Sequence, residues 1–312
     1  MNSEKVKNIV REMGPLIGLI VLFIVIAALN DSFIDPSNLK NLARQISFNA
    51  LIAFGMTFVI LTGGIDLSVG SILALSSALM ASMITKGTNP ELAILFSAFI
   101  GILLGVVNGV IISYGKVAPF IATLATMTIY RGATLVYTNG NPISGLSDDP
   151  FFTGFGQGFI MEVPVPAIVM LIAFLILFFI LKKTPLGRQT YAVGGNEKVS
   201  YISGIKIDRI KIFAYALTGC LCAIAGAILT ARLNSAQPTA GMGYELDAIA
   251  AVVLGGTSLA GGKGRISGTL IGALIIGTLN NGLNILNVSS FYQQVVKGVV
   301  ILLAVLMDRK KN

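Results

Sequence analysis

The chain has 312 residues, of which 54% are apolar and only 12% charged, with 35 glycines, a formal net charge of +8 and a mean hydropathy of +0.84. A soluble domain carries roughly a quarter charged residues, so this composition excludes an ordinary soluble protein and indicates a polytopic membrane protein. With no histidine, and with Cys220 and Cys222 inside an apolar run, the sequence offers no imidazole chemistry, no disulfide framework, no metal site and no expected cofactor.

Apolar segments recur along the whole chain, and about 20 such residues are needed to span a bilayer. The predicted segments are 14–30, 48–62, 65–85, 91–114, 117–137, 164–181, 211–231, 246–262, 266–286 and 291–307. We expect one all-α integral membrane domain over residues 1–312 with about ten transmembrane helices, in a range of eight to ten because the second segment is short. The first segment begins like a signal peptide, but the lack of a clear small-x-small cleavage site favours an uncleaved anchor.

The lysine and arginine residues lie mainly in alternate connecting segments. The predicted inner segments contain Lys5, Lys7, Arg11, Lys116, the seven basic residues from Lys182 to Lys211, Lys263, Arg265, Arg309, Lys310 and Lys311. The predicted outer segments contain Lys40, Arg44, Lys86 and Arg232. Cytoplasmic loops are enriched in basic residues, so both termini are predicted to be cytoplasmic. The net charge therefore reflects topology in the lipid bilayer and requires no nucleic-acid partner.

Two long loops are predicted, one on each side of the membrane. The outer loop, about 138–163, contains the turn-rich stretch TNGNPISGLSDDP and no basic residue. The inner loop, about 182–210, contains Thr184-Pro185, a pattern typical of a helix start, and Gly194-Gly195, which ends that helix. Asn196 is predicted to cap a second short helix from Glu197 to about Ser203, which Gly204 terminates.

The stretch GGTSLAGGKGR at 255–265 superficially resembles a phosphate-binding loop. The pattern G-x-x-x-x-G-K-[ST] requires glycine at 257 and a hydroxyl at 264, but the chain has Thr257 and Gly264. The sequence therefore does not predict a nucleotide site here. The stretch 252–262 also parallels 59–70, and an internal repeat and chance similarity of glycine-rich segments remain as alternatives.

Several stretches together carry a resemblance to a known family. They are VILTGGIDLSVGS (59–71), APFIATLATMTIYRG (118–132), TPLGRQTYAVGGN (184–196), the block from 235 to 286 and the tail VVILLAVLMDRKK. In these stretches the chain resembles the membrane permease subunits of bacterial ABC-type sugar importers, particularly those that import ribose. The resemblance implies a bacterial inner-membrane homodimer that moves a monosaccharide, with D-ribose expected, from periplasm to cytoplasm. It also implies a cytoplasmic ABC ATPase subunit, which binds the ATP, and a periplasmic sugar-binding protein.

With this resemblance, the inner loop is the expected contact with the ATPase, because a short capped helix can seat in a groove on a partner. The predicted coupling residues are Gly194, Gly195, Asn196, Glu197, Ser203 and Gly204. The alternative is an ordinary solvated basic loop. Lys198-Val199 depart from the two small residues that follow the acid in related permeases, so the resemblance does not define the packing there.

Neutral polar side chains in the predicted helices are candidates for the solute pathway, because amides and hydroxyls can hydrogen-bond to an uncharged sugar. The candidates are Asn49, Thr57, Asn108, Asn280, Asn281 and Asn284. Hydrogen bonding between helices is the alternative role for each of them. Five ionisable residues in or beside the segments are expected to be paired structurally: Asp66, Arg131, Glu245, Asp247 and Lys297. Glycine pairs four residues apart, including 101–105–109 and 264–268–272, predict close helix packing.

A competing class is an ion-coupled secondary transporter or a passive channel. A proton-coupled carrier is expected to contain an acidic or histidine relay near the middle of the membrane, but histidine is absent and the acids fall near predicted helix ends. We find no nucleophile–base or metal pattern typical of a membrane enzyme. The sequence therefore favours a transport subunit without catalysis of its own.

Overall fold

The computed structural model describes residues 3–309, with the side chains of residues 3–13, 304 and 307–309 outside the description. The basic side chains of Lys5, Lys7, Arg11 and Arg309 therefore lie outside the described part, as do Lys310 and Lys311 entirely. The described chain is built from these helices: α1 Ser3–Leu29, α2 Pro36–Leu61, α3 Val69–Thr85, α4 Pro90–Ser113, α5 Pro119–Thr138, α6 Pro150–Gln157, α7 Val165–Lys183, α8 Pro185–Gly195, α9 Glu197–Ile202, α10 Ile207–Leu233, α11 Tyr244–Leu254, α12 Ile266–Ile285 and α13 Ser290–Arg309.

Five of these helices, α2, α4, α7, α10 and α12, are long and apolar enough to cross a membrane. Shorter apolar helical stretches occupy Gly14–Leu29, Val69–Thr85 and Ser290–Leu303. Because most of the chain is helical and apolar helices recur throughout it, the predicted all-α, multi-span membrane fold is confirmed.

The centre of the bundle is formed by α2 and α10. Every residue of α2 from Ile46 to Leu61 is buried, and α10 packs against it as well as against α3 and α4. In contrast, α4 and α7 expose many large apolar side chains, such as Leu95 and Phe179. A helix that is apolar on all sides is typical of a membrane span, so these exposed faces are suited to contact lipid acyl chains.

Close backbone contact between α4 and α10 explains the glycine spacing in α4. A Cβ on Gly101 would lie 2.3 Å from the carbonyl oxygen of Gly219, and one on Gly105 would lie 2.2 Å from that of Tyr215. In α12, Gly272 lies in the same way against Ala251 of α11. The predicted packing role of these small residues is confirmed.

The predicted eighth span, 246–262, is not a continuous helix, and the sequence-based prediction for this segment was wrong. Helix α11 has 11 residues and ends at Leu254. At a rise of 1.5 Å per residue it is about 16 Å long, roughly half the hydrocarbon thickness. The glycine-rich residues that follow form turns instead of a further helical turn, because Gly256, Gly261 and Gly262 have positive φ values of 85°, 85° and 69°.

The connecting loops lie at two opposite ends of the bundle. Helix α2 runs from one end to the other. At the end near Leu61, the amide of Gly262 donates to the Leu61 carbonyl oxygen at 3.0 Å and Tyr191 contacts Gly264. We call this the inner end, because these loops are the predicted inner segments. At the other end, Lys40 pairs with Glu162.

The long outer loop was predicted to consist of turns, but it contains regular secondary structure. It contains α6, which is capped by the side chain of Asp149, and three short strands: β1 Ile143–Ser144, β2 Phe159–Ile160 and β3 Val163–Pro164. Strand β1 pairs antiparallel with β4, Ser235–Ala236, in the register Ile143↔Ala236. Strands β2 and β3 pair with each other in the register Phe159↔Pro164. The hydrogen bond from Lys40, followed by its charge, lowers the pKa of Glu162 and favours the ionised carboxylate.

Candidate functional site

The inner loop begins with α8, whose start follows the predicted capping pattern. The Thr184 hydroxyl accepts a hydrogen bond from the Gly187 amide at 3.3 Å, and Pro185 occupies the first helical position. The buried residues Thr190 and Val193 face the bundle. The Tyr191 hydroxyl donates to the Gly264 carbonyl oxygen at 2.9 Å, and burial raises the pKa of this phenol, so it remains a neutral donor. Helix α8 is thus fastened to the membrane bundle.

The end of α8 meets two other glycine-rich segments at the inner end. A Cβ on Gly194 would lie 1.7 Å from the Leu61 carbonyl oxygen and 2.6 Å from the Gly262 nitrogen. A Cβ on Gly261 would lie 3.0 Å from the nitrogen of Gly63. Three chain segments therefore touch through their backbones. We call this contact of 61–64, 194–195 and 260–264 the glycine junction.

The glycine junction accounts for the glycines at 261 and 262 by close backbone packing. It brings together the two stretches that resemble each other, 59–70 and 252–262, and places the end of α8 against both of them. Because backbone atoms cannot move aside as a flexible side chain can, a displacement of α8 is expected to move both glycine-rich turns.

Helix α9 follows directly and is defined by its predicted caps. The Asn196 side chain accepts a hydrogen bond from the Val199 amide at 3.0 Å. Ser203 is the C-cap, and Gly204 has a left-handed φ of 79°. The predicted second short helix is confirmed, ending at Ile202.

The apolar side chains of α9 are exposed. The exposed fractions are 57% for Val199, 74% for Tyr201 and 85% for Ile202. Beside them lies an open groove of about 1,090 Å³ lined by residues of α9, of the segment 204–209 and by Tyr114 and Lys116. Exposed apolar residues beside a groove at the water-facing end of a membrane protein are typical of a partner interface.

Five of the six candidate pathway residues form side-chain hydrogen bonds to other segments of the described chain. Asn280 donates to Asp247 at 3.3 Å, and Asp247 also accepts from Lys297 at 2.9 Å, so this buried acid links α11, α12 and α13. Asn281 and Asn38 exchange two hydrogen bonds, at 2.9 and 3.1 Å.

Three of the remaining four candidates also bond to other segments. Asn284 accepts from Gln293 at 2.8 Å, and Thr57 is 2.8 Å from the Thr269 hydroxyl. Asn108 donates to Ser68 at 2.7 Å. Asn49 is buried and its carbonyl oxygen has no hydrogen-bond partner in the described chain. The transport role of all six stays a prediction.

The ionisable residues are distributed over three local environments. Asp66 accepts hydrogen bonds from the amide and hydroxyl of Ser68, at 2.9 and 2.6 Å, and Asp247 pairs with Lys297. Arg131 donates to the Pro238 carbonyl oxygen at 2.6 Å and lines a cavity of about 390 Å³ together with Glu245.

This cavity was missed by the sequence-based search for neutral polar residues. Its walls consist of Ser71, Met127, Thr128, Arg131, Gly132, Leu135, Met242, Gly243 and Glu245. The signal that could have found it is the pair of charged residues, Arg131 within one predicted apolar segment and Glu245 at the start of another, since such residues often face a water-filled space.

Comparison with known proteins agrees with these features. Residues 38–305 match the family model described as "Branched-chain amino acid transport system / permease component". The chain is 66% identical to the ribose import permease protein of Bacillus subtilis over 98% of this chain and 95% of that protein. It is 55% identical to the ribose import permease protein of Escherichia coli K12 over 96% and 94%. It is 42% identical to the D-allose transport system permease protein of the same strain over 95% and 91%.

No solved structure was found to match the chain. The relatives confirm the resemblance to sugar-importer permeases that the sequence stretches carry. Because the family model covers most of the chain, this protein belongs to the branched-chain amino acid transport system permease family and is an integral membrane permease.

Proposed function

We propose that the chain is the membrane-spanning permease of an ATP-driven importer in the bacterial inner membrane and that its solute is D-ribose. The observation that supports the solute is similarity along almost the whole chain: 66% and 55% identity to ribose import permeases, against 42% to a D-allose permease. The chain itself carries out no chemical reaction. A partner ATPase binds and hydrolyses the ATP, and a periplasmic sugar-binding protein delivers the solute.

The proposed ATPase contact is formed by α9 and its two caps, with Gly194, Gly195, Asn196, Glu197, Ser203 and Gly204 as the coupling residues. Two observations support it. Tyr201 and Ile202 are largely exposed and are therefore available for packing against a partner. Helix α8 connects them to the glycine junction. A short helix seated in an ATPase groove would pass its displacement through α8 into both glycine-rich turns.

We further propose a homodimer. Its support is the cavity that contains Arg131 and Glu245, which is open on a side of the bundle where Thr128 and Gly132 are exposed. Charged groups are costly against hydrocarbon, so a second copy covering this side would be favourable.

Cross-linking tests the ATPase contact. In a variant without native cysteines (Cys220→Ala and Cys222→Ala), single cysteines are placed at 197 and 203, and at Met161 as a control at the opposite end. We expect disulfide cross-links to a cysteine in the ATPase groove from 197 and 203 only. If neither 197 nor 203 cross-links to the ATPase, the assignment of α9 is wrong.

Uptake of labelled D-ribose tests the solute. The chain is reconstituted into proteoliposomes with its ATPase and binding protein, and ribose uptake is expected only with ATP. Uptake without ATP, or driven by a proton or sodium gradient, would instead support the rival secondary transporter or channel. Assembly with ATP hydrolysis but no ribose uptake would exclude ribose as the solute.

A further inference from the structure

The cavity beside Arg131 opens on one side of the bundle, alongside the interior of α5. Arg131 is about 18 Å from the start of α5 at Pro119, at 1.5 Å per residue, which places it in the interior of a helix about 30 Å long. Ser71 belongs to the first turn of α3, and Gly243 is the N-cap of α11. The cavity is thus bounded by the middle of one helix and by the N-termini of two others.

A close backbone contact brings the two N-termini together. A Cβ on Gly70 would lie 2.0 Å from the Gly241 carbonyl oxygen, and one on Gly241 would lie 2.7 Å from that of Gly70. The backbone at Gly241 has a φ of 75°, which favours glycine. After α10 the chain therefore turns back into the bundle and reaches the start of α3 before α11 begins.

Polar groups in the cavity wall have unused hydrogen-bonding capacity. The Ser71 side chain is 1% exposed, and its hydroxyl has no hydrogen-bond partner in the described chain. A guanidinium has five N–H donors, of which Arg131 uses one for the Pro238 carbonyl oxygen. One oxygen of Glu245 accepts from the Gly243 amide at 3.2 Å, which leaves acceptor capacity on the carboxylate.

The wall is largely apolar, with Met127, Leu135 and Met242, but it carries several polar groups that suit a neutral polyhydroxylated solute. Serine and threonine hydroxyls, a carboxylate and a guanidinium together offer donors and acceptors, and the opposite charges of Arg131 and Glu245 balance. The volume of about 390 Å³ is within the range of small-molecule sites, roughly 300–1,000 Å³. A fully apolar wall would give such a solute no replacement for its hydration.

We propose that this cavity, bounded by Ser71, Thr128, Arg131 and Glu245, is a monosaccharide-binding station on the translocation pathway. The inference rests on the proposed function, whose solute it uses. It assigns solute contact to residues on α3, α5 and α11, whereas Asn280, Asn281 and Asn284 of α12 hold helices together.

Uptake and ATP hydrolysis, measured on the same reconstituted complex, test the proposal. The variants are Ser71→Ala, Thr128→Val and Glu245→Gln. Ser76→Ala and Thr134→Val are controls in the same helices, since both hydroxyls bond to carbonyl oxygens of their own helix. We expect Glu245→Gln to lower ribose uptake per assembled complex about tenfold, because a hydrogen bond to a carboxylate becomes a weaker bond to a neutral amide, with ATP hydrolysis stimulated by the binding protein unchanged.

A second measurement keeps the test valid if Glu245→Gln does not assemble. Thr128→Cys, in the variant without native cysteines, is labelled with a maleimide during turnover. Ribose is expected to slow this labelling, whereas a sugar that the complex does not transport has no effect.

The outcomes separate the two proposals. If the unmodified complex takes up no ribose, both fail. If it does take up ribose, while the cavity variants transport like the controls and ribose does not slow labelling, the cavity assignment alone is overturned.

Discussion

Helices α8 and α9 are neighbours in the chain but are packed in opposite ways. The end of α8 is held by backbone contacts at Gly194 and by the Tyr191 hydrogen bond to Gly264. Helix α9 instead presents Tyr201 and Ile202 to solvent, and its N-terminus is capped by the side chain of Asn196. The difference indicates a division of roles: one helix is built into the bundle, and the other is available to a partner. Substitutions in α8 should therefore lower the stability of the fold, whereas substitutions in α9 should weaken binding to the partner.

The largest expected effect is at Gly194. Gly194→Ala places a Cβ against the Leu61 carbonyl oxygen and the Gly262 nitrogen, so the glycine junction must open. Overpacking of this kind costs about 3 kcal/mol. We expect a clear loss of folded protein extracted in detergent and a lower melting temperature.

The control is the adjacent glycine. A Cβ on Gly195 meets no atom within 4 Å, so Gly195→Ala should change the free energy of unfolding by less than about 0.5 kcal/mol. Equal destabilisation by both variants would contradict the asymmetry of the junction.

Ile202→Asp is expected to have the opposite phenotype. Ile202 is exposed, so folding should be almost unchanged, whereas an interface that buries this side chain should lose about 2 kcal/mol, or roughly thirtyfold in affinity. Affinity for the purified ATPase checks this. Met161→Asp, at an exposed residue at the outer end, is the control and should leave ATPase affinity unchanged. If the ATPase affinity of Ile202→Asp is unaltered, α9 is not part of the interface.

A smaller effect is expected from the N-cap of α9. Asn196→Ala removes the acceptor for the Val199 amide, which typically costs about 1 kcal/mol of helix stability. Because α9 is short and exposed, we expect faster hydrogen exchange in residues 197–203 with little change in the melting temperature. Asn196→Ser retains a capping oxygen and should restore slow exchange. Fast exchange in both variants would show that the cap does not order the helix.

The smallest effect is expected at Glu197, which accepts from Lys211 at 2.9 Å but is more than half exposed. Exposed ion pairs contribute about 0.2–1 kcal/mol. A double-mutant cycle of Glu197→Gln and Lys211→Met should give a coupling energy in this range that falls at high salt. A larger coupling energy would mean that this pair, and not the caps alone, orders α9.

Much of the inner loop was predictable because its signals are local. The caps at Thr184, Asn196 and Gly204 act on backbone groups within a few residues, so the sequence pattern is sufficient to locate them. The glycine spacing of α4 likewise predicts close packing, although it does not identify α10 as the partner.

Contacts between distant residues were not predictable. The ion pair of Asp247 with Lys297 joins residues 50 apart, and the bonds between Asn38 and Asn281 join residues 243 apart. The sequence did not decide whether an acid in the membrane pairs with Arg131 or with Lys297. The break after Leu254 was also missed, because apolar and small residues continue past the end of α11 and obscure the turns.

The sequence by itself determined that this is an all-α membrane protein with a capped inner loop, because hydropathy, helix caps and glycine spacing depend on neighbouring residues; the permease role followed from the resemblance of its motifs to a known family. Only the tertiary structure decided that three glycine-rich segments meet at the inner end and that Ser71, Arg131 and Glu245 share one cavity. The physical reason is that these contacts form where helix ends distant in sequence approach within van der Waals distance, which no local pattern encodes.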